Sequence, residues 1–108
     1  MKNFKYDDMI RGWFVGGFTP TAHKTGGCEV GVKKYKAGEK EEAHYHKVAT
    51  EITMILKGSV KMNEEEYHEG DIIVVSPGEL VKFETLTEVT NVVIKTPGVL
   101  DDKYLEGE

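Results

Sequence analysis

Two histidines stand two residues apart, at His44 and His46, and Glu51 follows five residues after the second. In an extended strand, residues i and i+2 point to the same face. The two imidazoles would then aim at one point, about 7 Å apart along the strand. Lys47-Val48-Ala49-Thr50 turns the chain, and Glu51 opens the β-prone run Ile52-Thr53-Met54-Ile55-Leu56-Lys57, which stops at Gly58. Strands lying side by side would bring the three side chains together. Imidazole and carboxylate are suitable donors for first-row divalent metals. A His-x-His pair alone is commonly just two solvated histidines on a surface strand. The glutamate and the glycines that frame the run, Gly38 and Gly58, outweigh that reading as a signal of fold, and do not by themselves establish a metal.

The elements that must position these residues are short and β-like. The hydrophobic period is 2, or the runs are continuous, nearly throughout, and helical signals are scarce. Residues 1–12 read as a short arm or edge strand. Trp13–Phe18 reads as a strand, and Thr19–Gly27 as a loop on its turn chemistry, with His23 solvated within it. Cys28–Lys36 alternates: Val30 and Val32 share one face, Lys33 and Tyr35 the other. In the strand after Glu51, residues Ile52, Met54 and Leu56 share one face and Glu51, Thr53 and Ile55 the other, so both faces read as covered. Ser59–Asn63 and Glu66–His68 pair as a hairpin across Asn63-Glu64-Glu65, with His68 in solvent. Ile72–Val75 is a buried strand closed by Ser76-Pro77-Gly78, whose proline and glycine suit a type II turn. Leu80–Leu86 places Val81, Phe83 and Thr85 on one face. Asn91–Lys95 is one more apolar strand, and the tail LDDKYLEGE reads as a loose end or a partner-docking arm. About eight strands with glycine or proline turns give an all-β, antiparallel jelly roll or barrel.

The stretch Gly38–Gly58 resembles the first motif of the cupins: glycine, five residues, His-x-His, three or four residues, glutamate, six residues, glycine. Here the positions are Gly38, His44, His46, Glu51 and Gly58, with four residues before the glutamate. The second cupin motif runs glycine, five residues, proline, any residue, glycine, two residues, histidine. Gly70 and Gly78 take its glycine positions, Ser76 stands where the proline would be, and Val81 occupies the histidine position. The resemblance covers roughly residues 28–95. It implies a cupin double-stranded β-helix, with His44, His46 and Glu51 as ligands of a divalent metal ion (Fe, Zn, Mn or Ni) and the fourth ligand missing.

Composition limits the alternatives. At 108 residues the chain reads as one cupin-like domain, a barrel over about residues 13–96 with an N-terminal arm and an acidic C-terminal tail. A net charge of −5 argues against nucleic-acid binding. No run approaches the roughly 18 apolar residues of a membrane span, and the N-terminus lacks a secretory pattern. The single cysteine, Cys28, cannot form an internal disulfide and reads as a strand or core residue. A cytoplasmic location fits. The function expected first is a metal-dependent protein acting on a small polar metabolite, sugar-like or a carbonyl compound, by oxygenase, isomerase or lyase chemistry. Glu51 is either a ligand or a catalytic base. The alternative is a metal-free, non-catalytic binder of a small molecule or sugar, walled by Tyr35 and Phe83. A metal-free isomerase using Tyr45 as acid ranks last, because alternation turns Tyr45 away from both histidines. The apolar face of Ile52, Met54 and Leu56 predicts a homodimer. Histidine ligation predicts that metal occupancy falls as pH drops through about 6 to 5.

Overall fold

A computed structural model describes residues 1–108 as a sandwich of two sheets. The strands are β1 (Trp13–Gly16), β2 (His23–Lys24), β3 (Glu29–Tyr35), β4 (Lys40–Tyr45), β5 (Thr50–Lys57), β6 (Ser59–Met62), β7 (Glu65–His68), β8 (Ile72–Val75), β9 (Val81–Thr85), β10 (Val89–Thr96) and β11 (Tyr104–Leu105), with a 3-10 turn at Tyr6–Asp8. One sheet has the order β2-β1-β3-β10-β5-β8 and the other β11-β4-β9-β6-β7.

The core follows from alternation. Ile55 on β5, Val60 and Met62 on β6, Val75 on β8, Val81 and Phe83 on β9, and Val89 on β10 pack into one cluster between the sheets. Each such side chain, fully buried, contributes roughly 1.5–3 kcal/mol. The opposite face of β5 is not covered by this chain. Met54 and Leu56 are exposed there, beside Ile72 and Val74 of the edge strand β8, so the expectation of two covered faces fails within one copy.

Turns set the register. β6 and β7 join through Asn63-Glu64, both in the left-handed region (φ 48° and 70°), the geometry of a type I′ hairpin. The hairpin is one residue tighter than the sequence suggests, because Glu65 already pairs with Met62. Gly58 has φ +91°, and a Cβ there would lie 2.1 Å from the Glu88 carbonyl oxygen. Only glycine fits that crossing between β5 and β6.

Three segments are more ordered than their composition implies. The N-terminal arm is tied down by the Tyr6 hydroxyl donating to the Val32 carbonyl and by Val32 N–H donating to the Gly12 carbonyl. The loop after β1 contributes β2, parallel to β1, with His23 exposed on it. The acidic tail is not a loose end. Its β11 pairs antiparallel with β4, Tyr104 opposite Tyr45 and Leu105 opposite His44. Tyr104 stacks on Tyr45 with ring centroids 5.6 Å apart, which anchors it. No helix is long and apolar enough to cross a membrane.

Candidate metal centre

His44 lies near the end of β4, and His46 lies one residue beyond it. Glu51 is the second residue of β5. The sandwich brings one donor atom of each within 4.8 Å of the others. The His44 Nδ1–H donates to the Glu42 carbonyl oxygen at 2.9 Å, since a carbonyl can only accept. That leaves His44 Nε2 with its lone pair free. His46 is 3% exposed; its Nδ1 lies 3.5 Å from Glu51 Oε2, and its Nε2 is buried with no hydrogen-bond partner.

Electrostatics reinforce this geometry. Burial, with the nearby Lys95 ammonium and the adjacent His44, pushes the His46 pKa down to about 4. The ring is therefore neutral at pH 7, so its contact with Glu51 is not an ion pair. Burial also raises the Glu51 pKa, against the opposing pull of Lys95. A neutral buried imidazole with an orphaned nitrogen, beside a desolvated carboxylate and a second free imidazole nitrogen, fits a divalent cation.

The supports come from distant segments. Gly78 N–H, in the turn of the second motif, donates to the His46 carbonyl at 2.7 Å. That turn has the proline and left-handed glycine (φ +86°) expected of it. Asp102 holds the loop between His46 and Glu51. Its carboxylate accepts from the backbone N–H groups of Lys47 (2.9 Å), Val48 (3.1 Å) and Ala49 (2.8 Å). Burial alone would raise the Asp102 pKa, but these three N–H groups hold it below the usual value. In register, Glu51 is flanked by Val75 on β8 and Lys95 on β10.

Val81 sits directly across from His44 in the β4–β9 register and is buried. Together with His44, Glu51, Phe83 and Asn91 it lines an interior cavity of about 20 Å³. That volume holds about one water. Tyr35 and Phe83 also line it, packed 5.2 Å apart by ring centroid, so they are walls of the core rather than of a metabolite pocket.

Among the residues singled out from sequence, His44, His46 and Glu51 converge. Tyr45 turns away and stacks on Tyr104. His23 and His68 are exposed and outside the group, His68 lying 2.9 Å from the Ser59 hydroxyl. Cys28 is a free, half-buried thiol. Of the acidic residues Glu39, Glu41 and Glu42 that precede the histidines, one turns inward. Glu41 faces the interior cavity and accepts a 2.9 Å hydrogen bond from the Tyr35 hydroxyl. Sequence reasoning missed Lys95 and Asp102. Lys95 had a signal, since it continues the inward row Asn91, Val93 at a spacing of two. Asp102 had none.

No protein-family model matches the sequence, and no curated protein is significantly similar to it. Solved structures do match. A Klebsiella pneumoniae protein described as having a double-stranded β-helix domain aligns with a TM-score of 0.69 at 19% identity, over 78% of this chain and 74% of that one. The fold is the double-stranded β-helix of the cupins. Oxalate decarboxylase from Bacillus subtilis aligns with a TM-score of 0.66 at 17% identity, over 74% of this chain. This chain spans only 24% of that enzyme's length. KdgF from Halomonas aligns with a TM-score of 0.64 at 18% identity, over 71% of this chain and 74% of that one. Within the cupin fold, the two glycine turns, Gly58 and Gly78, stand where the sequence motifs put them, and a valine faces the donor group from the second motif.

Proposed function

We propose that this chain is a small cytoplasmic cupin-fold protein that holds a divalent cation through His44, His46 and Glu51 and acts on a small polar metabolite. The observation that carries the reading is the convergence of three donor atoms within 4.8 Å, one set of them including a buried imidazole nitrogen without a partner. A cation of the Fe, Mn, Ni or Zn set would supply Lewis-acid polarisation of a carbonyl, enediol or O2. B. subtilis oxalate decarboxylase, which shares the fold, is described with Mn(II) centres. The chain's own residues do the positioning. Glu42 fixes the His44 tautomer, Gly78 and Asp102 hold His46 and the loop behind it, and burial keeps His46 neutral. Glu51 is placed to ligate, and its raised pKa also suits a general base. Oxygenase, isomerase and lyase reactions all draw on these features.

Isothermal titration of metal-free protein with Zn(II), and anaerobically with Fe(II), tests the reading. Wild type should take up about one ion per chain and His44→Ala none. A wild type that binds neither ion overturns it. The non-catalytic, metal-free binder then stands, the reading that Val81 at the fourth position favours.

The same proposal includes a homodimer. Met54, Leu56, Ile72 and Val74 form a continuous exposed apolar patch on the outer face of β5 and β8, and a second copy is the occupant of a self-complementary sheet face. Light scattering at low micromolar concentration should give twice the chain mass, and Ile72→Glu should return it to the 12.1 kDa chain. Monomeric wild type would refute the dimer.

A further inference from the structure

The interior cavity beside Val81 is too small for a metabolite. A second space is not. A cleft of about 380 Å³ opens between β1 and the segment after β10, within the range of small-molecule sites. None of His44, His46 and Glu51 lines it; it adjoins the donor group through two residues that neighbour those three. Lys95, in its floor, is the register partner of Glu51. Asp102, in its wall, holds the loop that follows His46.

One side of the cleft is apolar. Trp13 and Phe18 stand edge to face with ring centroids 6.4 Å apart, and Leu100 extends the surface. The other side is cationic. Lys95 Nζ lies 5.1 Å from the centre of the Trp13 ring, and Arg11 and Lys103 also line the space. None of these three cations is in an ion pair; the ion pairs and close acid–base contacts of the structure are Lys40–Glu84, His46–Glu51 and Lys61–Glu64. Three carboxylates share the lining, Glu29, Asp101 and Asp102. Asp102 is occupied by three backbone N–H groups. Asp101 is exposed at the rim, and Glu29 is buried and is the register partner of Lys95 on β3, as Glu51 is on β5. At the end nearest the donor group, the Lys95 ammonium makes no ion pair and stands over the Trp13 ring, between the β strands that carry Glu29 and Glu51.

We propose that this cleft is the substrate pocket of the metal centre and takes a small carboxylate with an aromatic or branched apolar body. The head meets Lys95 beside Glu51, and the body lies on Trp13 and Phe18. The inference rests on the proposed metal centre for the word substrate, while recognition of the carboxylate rests on Lys95 and Trp13 alone.

Trp13 is the only tryptophan in the chain, so its fluorescence reads the pocket directly. Phenylacetate and its uncharged isostere phenylacetamide are titrated against wild type, with zinc uptake measured calorimetrically on the same preparation. Phenylacetate should change the emission saturably and bind about tenfold tighter than the amide. Lys95→Met should remove that preference, and Lys95→Arg should keep it. The wild-type comparison of acid and amide requires no variant to fold. Equal affinity for the two probes, or no saturable response to either, overturns the proposal. Zinc uptake with no preference for the acid overturns the pocket and leaves the metal centre. A preference for the acid with no zinc uptake sinks the metal centre and leaves the carboxylate pocket.

Discussion

Two spaces of opposite character lie near the donor group. On the inner side, Val81, Phe83, Met62 and Val93 close around a cavity of about 20 Å³. On the outer side, a cleft of about 380 Å³ is walled by Trp13 and Phe18 and lined by three cations and three carboxylates. The inner space is packed at core density, as the interior of a small sandwich must be. The outer space lies between β1 and the irregular segment that follows β10. Room for a ligand comes from loops, while the fixed geometry of the donors comes from strands.

The largest effect should come from breaking the wall between the two spaces. Asp102 is 5% exposed and satisfies three backbone N–H groups. Asp102→Ala leaves those donors unpaired, and we expect a loss of about 2–4 kcal/mol in urea denaturation of the metal-free protein. Zinc affinity should fall with it, because the loop between His46 and Glu51 loosens. A variant of unchanged stability would mean that the tail does not set that loop.

A somewhat smaller effect should follow from pH. The His46 pKa is about 4 in the folded protein and ordinarily near 6.5. As pH falls below about 6.5 the unfolded chain takes up the proton first, so stability drops until pH reaches about 4, by roughly 3 kcal/mol. Glu51 acts in the opposite sense. Its raised folded pKa favours the protonated form, so its contribution is present at low pH and lost as pH rises through that folded value. Metal-free Glu51→Gln should therefore show the His46 slope undiminished, and His46→Gln should lack it. Identical pH profiles for the two variants would contradict the assignment. At His46 itself, the same depression moves proton competition below the range of about 6 to 5 that an ordinary histidine implies.

The smallest effect should be a gain at the inner cavity. Val81 pairs with His44 and faces the donor group. Imidazole is little larger than isopropyl, and the cavity has room for the difference. Val81→His should raise zinc affinity about tenfold, close to 1.4 kcal/mol. Unchanged affinity would show that the imidazole cannot reach the ion from β9, and would place the open coordination sites on the cleft side.

Much of this was legible in the chain before any fold was in hand. Period-2 alternation places Val81, Phe83 and Thr85 inside and Lys82 outside, and each stands so. The offsets among Gly38, His44, His46, Glu51 and Gly58 put the donor residues within one strand turn of each other, and they converge. These features are local: a strand's faces and a turn's handedness are decided by neighbours in sequence. The acidic composition of the tail pointed the wrong way, because its fate depends on partners more than fifty residues distant. Asp102 stops the loop at Lys47–Ala49 and Tyr104 stacks on Tyr45 only once β4 has a free edge to pair with. Lys95 is the intermediate case. Alternation turns it inward, but only the β10–β5 register sets its ammonium beside Glu51, and only β1 folding back over Gly31 lays Trp13 beneath it. The sequence by itself determined which residues are donors and which face each strand presents. The volume available to a ligand, and the charges around it, were decided by long-range pairing, which no local pattern of side chains encodes.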